Sequence, residues 1–424
     1  MTGPDAAAPR DPGPEGGPAA ASDLLLARVV REESGRIVGA LTASLGSLDV
    51  AEEAVADAVV EALREWRVRG IPRSPGGWLT QAARHNALDR LRRETRYRDK
   101  LVLLAEPDVV EPIAVGEGDA DERLPLLFGC CHPALSPDAQ LALTLRAVCG
   151  LTTAQIARAT LSPESTDAQR IVRAKRKIGA AGIPLRIPVA QERAERLDIV
   201  LTVVSVMYSE AHLVAGGDAA ADRDLADDAL WLAHVIADAL PREAEAQGLL
   251  ALLGFHRARE SARAVDGDLV LLEEQDRSRW DAALLADARA ALERAALLRR
   301  PGRWQLHAAI AACHADATGP STTDWLQVLT LYDMLLAYDR SPVVRLNRAV
   351  ALARIEGAEE ALVEVDALEG ALGRFHLWHA VRAHLLRELG RDDEALAADL
   401  RALELTANDA ERRLIAARLG GGAP

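Results

Sequence analysis

Lysine, aromatic residues and long apolar runs are all scarce in this chain of 424 residues. Lysine occurs only at positions 100, 175 and 177, so arginine carries nearly all of the positive charge. Aromatic residues make up 3% of the chain, whereas 49% of the residues are hydrophobic, chiefly Ala and Leu. Because Ala, Leu and Arg are good helix formers and β-branched runs are rare, the composition predicts an all-α fold in several domains.

The scarcity of apolar runs and cysteines also limits the class of protein. No apolar run reaches the roughly 18–20 residues that span a bilayer, and the N-terminus lacks a signal pattern. Four cysteines in a chain of this length do not form a disulfide framework, so we expect a cytoplasmic protein with reduced thiols and no membrane partner. Five prolines and four glycines predict that residues 1–22 are a disordered tail.

The net charge of −14 is distributed unevenly. Residues 187–424 carry about −13 of it, and residues 1–186 only about −1. Within the first part, residues 84–100 are mainly basic, residues 106–122 contain seven acidic groups and no basic one, and residues 170–177 contain five basic groups. This basic–acidic–basic order allows nucleic-acid binding by a chain whose overall charge is negative.

Two helices are predicted before the acidic block. Residues 49–66 place Val and Ala on one face and Glu52, Asp57 and Glu61 elsewhere, with Asp49 as the expected N-cap. A Gly- and Pro-rich loop at 67–77 leads into a second helix at about 77–97. The second helix carries Trp78, His85 and Asn86 beside arginines, a combination that suits unstacked bases, although an amphipathic surface helix would look similar.

Three more helices are predicted after the acidic linker at 105–122. They span 137–148, 153–159 with Thr152 as N-cap, and 163–179 with Ser162 as N-cap and Pro163 at the first helical position. A short helix, a tight connection and a longer basic helix are typical of a helix-turn-helix. Arg, Gln and Thr in the first turns of the last helix can read base edges, and the alternative is a solvated basic surface.

The stretch GCCHPALSPDAQ (129–140) places Cys130, Cys131 and His132 side by side. A zinc site needs four converging ligands, and three consecutive side chains do not converge easily on one ion. A catalytic Cys–His pair would need an acid or oxyanion partner, which the sequence does not indicate. We therefore expect buried packing thiols at a helix end, no metal and no cofactor. The histidines at 376, 379 and 384 are likewise interpreted as core or surface residues of a repeat.

Taken together, these stretches resemble the extracytoplasmic-function sigma factors of bacterial RNA polymerase. DVAEEAVADAVVEALREW (49–66) is similar to the polymerase-binding helix of sigma domain 2, and GWLTQAARHNALDRLRR (77–93) to its promoter-melting and −10-reading helix. LTTAQIARATLSPESTDAQRIVRAKRKI (151–178) is similar to sigma domain 4, which reads the −35 element. The resemblance implies sigma domain 2 at 23–98, an acidic linker at 99–125, sigma domain 4 at 126–186 and a helical extension at 187–424.

The resemblance also implies the partners and the site residues. The partners are core RNA polymerase and promoter DNA, with no enzymatic activity and no small-molecule substrate. Residues expected to contact core polymerase are Glu52, Glu53, Asp57 and Glu61. Residues expected at the −10 element are Arg73, Trp78, Arg84, His85, Asn86, Arg90 and Arg93. Residues expected at the −35 element are Ser165, Thr166, Gln169, Arg170, Arg173, Lys175, Arg176 and Lys177.

One position departs from the family pattern. The family usually has an apolar residue where this chain has Asp167. An acid in the first turn of the helix favours the helix dipole, but it is expected to lie near DNA phosphates. The register of the recognition helix and the −35 sequence that it reads therefore stay open.

The extension contains a weak repeat. Glu360-Ala361-Leu362 recurs 34 residues later as Glu394-Ala395-Leu396, each after a glycine, and 34 residues is the tetratricopeptide period. This pattern, near 342–412, and LLEEQDRSRWD (271–281) resemble a subgroup with a long C-terminal extension. The resemblance implies regulation in cis and an association with small YCII-related (DGPF) proteins. The residues expected at an interdomain or partner contact are Asp276, Arg277, Arg279, Trp280 and Asp281.

Two alternatives stay open from the sequence. The extension could be a solvated scaffold that stabilises the rest of the chain rather than a regulatory module. The whole protein could be a helix-turn-helix regulator with a tetratricopeptide sensor, which would bind duplex DNA without core polymerase. An enzyme that uses the Cys/His cluster is a third possibility, but the sequence offers no further catalytic groups for it.

Overall fold

The computed structural model describes residues 18–101, 123–160, 162–183, 186–188, 190–213, 219–265, 268–406 and 408–420. The chain divides into two units, one made of residues 1–156 and 163–189 and the other of residues 157–162 and 190–424. In the described ranges every long element is a helix, which confirms the predicted all-α fold. None of these helices is both long and apolar enough to cross a lipid bilayer.

The described residues of the first part of the chain form seven helices. Their bounds are α1 Pro18–Leu45, α2 Leu48–Arg69, α3 Pro75–Leu101, α4 Arg123–Cys130, α5 Pro137–Ala147, α6 Thr153–Ala159 and α7 Glu164–Ala180. Helices α1, α2 and α3 contact one another, α1 also contacts α4, and α5 contacts α7. The apolar stripe of α2 is made of Ala51, Ala54, Ala58, Ala62 and Trp66, all buried. The small alanines let neighbouring helices approach closely, and Trp66 fills the end of the core.

Helix α1 also approaches the end of α5 closely. A Cβ atom added at Gly35 would lie 2.1 Å from the carbonyl oxygen of Val148, so a larger residue would force these segments apart. The side chain of Arg123, at the start of α4, would lie 3.3 Å from the same added atom. The helices on either side of the acidic linker therefore pack together within this unit.

Several predicted helix ends were wrong by a few residues. Helix α1 begins at Pro18, inside the tail predicted to be disordered. The N-cap of α2 is Ser47 rather than Asp49, because the Ser47 hydroxyl accepts a hydrogen bond from the N–H of Val50 at 3.4 Å. The N-cap of α7 is Pro163 rather than Ser162. The Thr152 cap of α6 is confirmed, since its hydroxyl accepts from the N–H of Gln155 at 3.3 Å. The linker at 105–122 lies outside the described residues.

The second part of the chain continues helix after helix. The elements are α8 Ala190–Leu213, α9 Ala219–Ala239, α10 Ala244–Ala258, β1 Ala264–Val265, β2 Asp268–Leu269, α11 Ala282–Leu297, α12 Arg303–Asp316, α13 Trp325–Leu335, α14 Pro342–Ile355, α15 Ala358–Asp366, α16 Glu369–Leu372, α17 His376–Glu388, α18 Asp392–Leu405 and α19 Asp409–Leu419. Strands β1 and β2 pair antiparallel, Ala264 opposite Leu269. Helix α10, almost entirely buried, contacts α8, α9, α11 and α12.

The 34-residue recurrence occupies equivalent places in the structure. Gly357 and Gly390 both have positive φ, +107° and +70°, and each precedes a helix, α15 or α18. Ala361 and Ala395 are both buried in one apolar cluster, whereas Leu396 is 49% exposed and Leu362 is buried. The second copy therefore keeps the turn and the small core residue of the first, but its leucine faces outward.

Candidate nucleic-acid interface

Helix α7 has a buried stripe and an exposed polar face. The buried residues are Asp167, Ile171, Ala174 and Ile178, which recur every three or four residues as one face of a helix does. The predicted −35 residues that lie exposed are Ser165, Gln169, Arg173, Arg176 and Lys177, and Thr166 is half-buried. Arg173 donates to the side-chain oxygen of Gln169 at 3.4 Å, so two side chains suited to reading base edges lie side by side.

Arg170 is held in place by two carboxylates. Its Nη1 donates to Asp167 at 2.9 Å, and its Nη2 donates to Asp138 of α5, also at 2.9 Å. Asp167 is fully buried, so the expectation that it lies near DNA phosphates was wrong. The acid instead fixes an arginine of the same helix. Sequence reasoning missed Asp138, because a partner 32 residues away cannot be identified before the fold is known.

Lys175 faces α2 rather than solvent. Its ammonium donates to Glu52 and lies 3.5 Å from Asp49, and the two paired side chains, Lys175 and Glu52, are only 14% and 16% exposed. Lys177, the other lysine of α7, donates to the carbonyl oxygen of Ala134. Lys175 was predicted to contact DNA and Glu52 to contact polymerase, and here they form an ion pair with each other.

Helix α3 combines an apolar contact with exposed basic residues. The ring of Trp78 packs edge-to-face on Trp66, with 5.7 Å between centroids, which anchors the start of α3 on the end of α2. The remaining predicted −10 residues of the unit differ in exposure. Arg73, Arg84, His85 and Arg93 are exposed, while Asn86 and Arg90 are half-buried. The Nδ2 atom of Asn86 is buried and hydrogen-bonds to nothing among the described residues.

Arg90 joins α3 to the acidic face of α2. It donates to Glu53 and, at 3.0 Å, to Asp57. All of these carboxylates belong to the predicted polymerase-binding set, in which Glu61 is also exposed. Both Arg90 and Lys175 therefore bind carboxylates that were expected to face polymerase, one from α3 and one from α7.

The adjacent cysteines lie in the core. Cys130 and Cys131 are fully buried at the end of α4, as expected for packing thiols, and Cys131 Sγ lies 3.5 Å from the hydroxyl of Thr144. Burial raises the pKa of Cys130 well above its ordinary value, and neighbouring Cys131 and Glu52 raise it further. A thiol with so high a pKa is a poor nucleophile and a poor metal ligand. In the described residues no cluster of His, Cys, Asp or Glu is arranged to hold a metal ion.

We expect Cys130 to resist alkylation in the folded protein. Iodoacetamide at pH 7.4 reacts with thiolate, and the raised pKa keeps this buried group protonated. Peptide mass spectrometry should find Cys130 unmodified in the native chain and fully modified in guanidinium chloride. Replacing Cys130 and Cys131 by Ala should leave metal content and promoter choice unchanged. Equal labelling rates in native and unfolded protein would contradict the buried assignment.

The predicted contact residues of the extension have local structural roles. Asp276 accepts from the N–H of Ser278 at 2.9 Å, and Asp281 caps α11 by accepting from Ala283 and Leu284. Arg277 lies over the ring of Trp280, 4.7 Å from its centroid. Trp280 is buried, whereas Arg279 is exposed. These contacts shape the turn before α11, and a partner contact at this turn stays a prediction.

Comparison with known proteins gives three family matches. The model of Sigma-70 region 2 matches residues 29–97, and the model of Sigma-70 region 4 matches residues 126–178. A family of unknown function matches residues 196–296. Region 2 thus covers α2, most of α1 and most of α3, and region 4 covers α5, α6, most of α4 and nearly all of α7.

Two whole-chain comparisons accompany these matches. An uncharacterized protein of Rhizobium meliloti (strain 1021) is 41% identical over 389 residues, which is 90% of this chain and 92% of that protein. The crystal structure of yeast Tom70 aligns with 95% of this chain and 86% of its own, at 12% identity and a TM-score of 0.37, a likeness too weak to define a shared fold. The paired region 2 and region 4 matches support a sigma factor that binds core RNA polymerase and promoter DNA. The chain belongs to the sigma-70 family of sigma factors.

Proposed function

We propose that this chain is an alternative sigma factor of the extracytoplasmic-function group, which directs core RNA polymerase to a specific set of promoters. The exposed face of α7 carries this proposal. Ser165, Gln169 and Arg173 are spaced one helical turn apart and point away from the core, where a recognition helix presents side chains to the major groove. Arg176 and Lys177 lie further along the helix and reach phosphates.

Helix α3 supplies the second DNA contact in this proposal. Exposed Arg84, His85 and Arg93 lie along the same helix as the half-buried Trp78 and Asn86, and exposed Arg73 lies in the loop before it. An aromatic ring and an amide among arginines suit single-stranded −10 bases that have been flipped out of the duplex. Flipping costs a few kcal/mol, which stacking on the protein and easy melting of AT-rich DNA offset. The chemistry of RNA synthesis belongs to the polymerase.

The acidic side of α2 forms the polymerase contact in this proposal. Glu53, Asp57 and Glu61 are exposed on α2, and Glu52 lies beside them against Lys175. Docking of this side on a basic polymerase surface would compete with Arg90 and Lys175 for the same carboxylates. The acidic linker, outside the described residues, would occupy the RNA channel of the polymerase, where its charge mimics that of the transcript.

Run-off transcription tests the proposal. Core polymerase with this protein should initiate at discrete start sites on the promoter of its own gene, and neither component alone should do so. The double variant Gln169→Ala, Arg173→Ala, compared with the unchanged chain, should lose most of that initiation. Duplex binding without core polymerase, together with no initiation in its presence, would favour the helix-turn-helix regulator instead.

The extension regulates the sigma regions in cis or through a partner protein in this proposal. Its family match, residues 196–296, begins after region 4, and its negative charge could compete with DNA for basic helices. A small YCII-related (DGPF) protein is the partner that the resemblance suggests. In the same run-off assay, a chain ending near residue 190 should show altered initiation. Unchanged initiation by that shortened chain would leave the extension as a scaffold.

A further inference from the structure

A cavity of about 390 Å³ lies among the helices of the second unit. Its wall is formed by the turn at 271–277, the end of α12, and helices α13, α14 and α17. Most of this wall is apolar, with Val328, Val350, Ala380 and Leu385 among the lining residues. The volume lies within the range of small-molecule sites, which combine apolar walls with a few fixed polar groups.

The charged groups of the cavity are mainly positive. Arg277, Arg354 and Arg418 line it, and Glu273 is the one carboxylate among its lining residues. This excess of positive charge is notable because residues 187–424 carry about −13 overall. A local cationic lining within an acidic extension favours an anionic ligand at this place.

Arg277 is positioned for an anion by contacts that use only part of its guanidinium. Its Nη1 donates to the carbonyl oxygens of His314 and Ala317 at 2.6 and 2.7 Å. No described residue accepts a hydrogen bond from its Nη2 or Nε atoms, which form the other donor edge of the guanidinium. A guanidinium edge with two parallel N–H groups fits a carboxylate in two hydrogen bonds.

A second arginine, Arg354, and the aromatic ring of Trp325 also line the cavity. Arg354 donates to Glu273 and lies over the ring of Trp325, 5.5 Å from its centroid. His314 contacts the same ring edge-to-face, with 5.4 Å between centroids. Burial, aided by nearby Arg259 and Arg277, lowers the pKa of His314 to about 4, so this histidine is neutral at pH 7. The positive charge of the cavity at neutral pH comes from its arginines.

We propose that this cavity binds a small organic acid with an apolar body, whose carboxylate lies on Arg277 and Arg354 while the body fills the space between α13, α14 and α17. The single carboxylate follows from the balance of charge, because Glu273 would repel a polyanion. The apolar body follows from the wall, because a small hydrophilic anion would leave apolar surface in contact with water. This inference concerns ligand binding by the chain alone and does not depend on transcription.

Calorimetric titration of the full chain tests the proposal. The probes are 4-phenylbutyrate, indole-3-butyrate and decanoate, each compared with its neutral amide, and inorganic phosphate serves as a bare anion. At least one carboxylate should bind with a millimolar or lower dissociation constant, about tenfold or more tighter than its amide, because hydrogen bonds to charged groups are strong. Failure of all three acids, equal binding of acid and amide, or displacement of the acid by equimolar phosphate would each overturn the proposal.

Two variants locate the site. Arg277→Gln should weaken binding of the acid about tenfold or more while leaving binding of the amide unchanged. Ala380→Phe should abolish binding of both by filling the cavity, and it keeps every polar group in place. The matched controls are Arg401→Gln and Ala397→Phe, at residues outside the cavity. If Arg277→Gln disturbs folding, Ala380→Phe still decides, since unchanged binding by that variant would place the ligand elsewhere.

Discussion

Alanine at Arg173 should weaken binding of the holoenzyme to its promoter by about 1–3 kcal/mol, or roughly 5- to 140-fold, and relax the choice of base at one −35 position. Arg173 is exposed, belongs to the same face as Ser165 and Gln169, and is oriented by the Gln169 amide oxygen at 3.4 Å. A base-reading arginine discriminates among sequences, so its loss should affect the preferred promoter more than a mutated one. Fluorescence anisotropy with both duplexes at fixed salt measures this difference.

Arg176→Ala is the matched control for Arg173→Ala, because Arg176 is expected to contact phosphate rather than a base. It lies one turn further along the exposed side of α7, so its loss should weaken binding to all sequences about equally. It should also reduce the slope of log affinity against log salt by about 1. Arg401→Ala, in the extension, should change neither quantity. Equal effects of Arg173→Ala on the preferred and the mutated duplex would show that the recognition face of α7 is assigned wrongly.

The helices of the sigma regions could be predicted because their signals are local. Apolar spacing predicted α2, a Gly- and Pro-rich loop marked the start of α3, and capping residues, prolines and glycines predicted α5, α6 and α7. The Thr152 cap of α6 is confirmed by its hydrogen bond. The two wrong caps were wrong by one or two residues. Near α2, both Ser47 and Asp49 are good capping residues, and only the backbone conformation at Ser47 decides between them. The Pro- and Gly-rich composition of residues 1–22 predicted a disordered tail, but α1 begins within it at Pro18. A helix accepts proline in its first turn.

The contacts that give the site its geometry could not be predicted, because they join distant segments. Asp167 looked like an exposed acid, but the structure buries it beside Arg170, which also donates to the exposed carboxylate of Asp138 in α5. The cavity of the extension was even harder to predict from the sequence, because its lining residues are spread from Leu271 to Arg418. Its apolar residues are ordinary members of helical stripes when each helix is considered alone. Only the packing of α13, α14 and α17 leaves the space between them.

Glutamine at Lys175 should produce opposite changes in two binding reactions. The ion pair of Lys175 with Glu52 holds α7 against α2, and both side chains are largely buried. Removing one partner of a fully buried pair costs about 3–5 kcal/mol, so here, with partial exposure, we expect the free energy of unfolding to fall by about 2 kcal/mol. If polymerase must separate this pair to reach Glu52, the same change should raise affinity for core polymerase by up to about 30-fold. Affinity for duplex DNA should fall, because the recognition helix loses one positive charge and the carboxylate of Glu52 is no longer neutralised.

Lys177→Gln separates the ion pair from charge in general. Lys177 lies on the same helix but donates to the carbonyl oxygen of Ala134, with no described carboxylate within ion-pair distance. Its loss should weaken DNA binding about as much as Lys175→Gln and leave affinity for core polymerase unchanged. Exchanging the charges in the double variant Glu52→Lys, Lys175→Glu should restore much of the lost stability, because the pair is remade in reverse. If Lys175→Gln and Lys177→Gln shift polymerase affinity equally, the ion pair does not restrain assembly, and polymerase reaches α2 without disturbing α7.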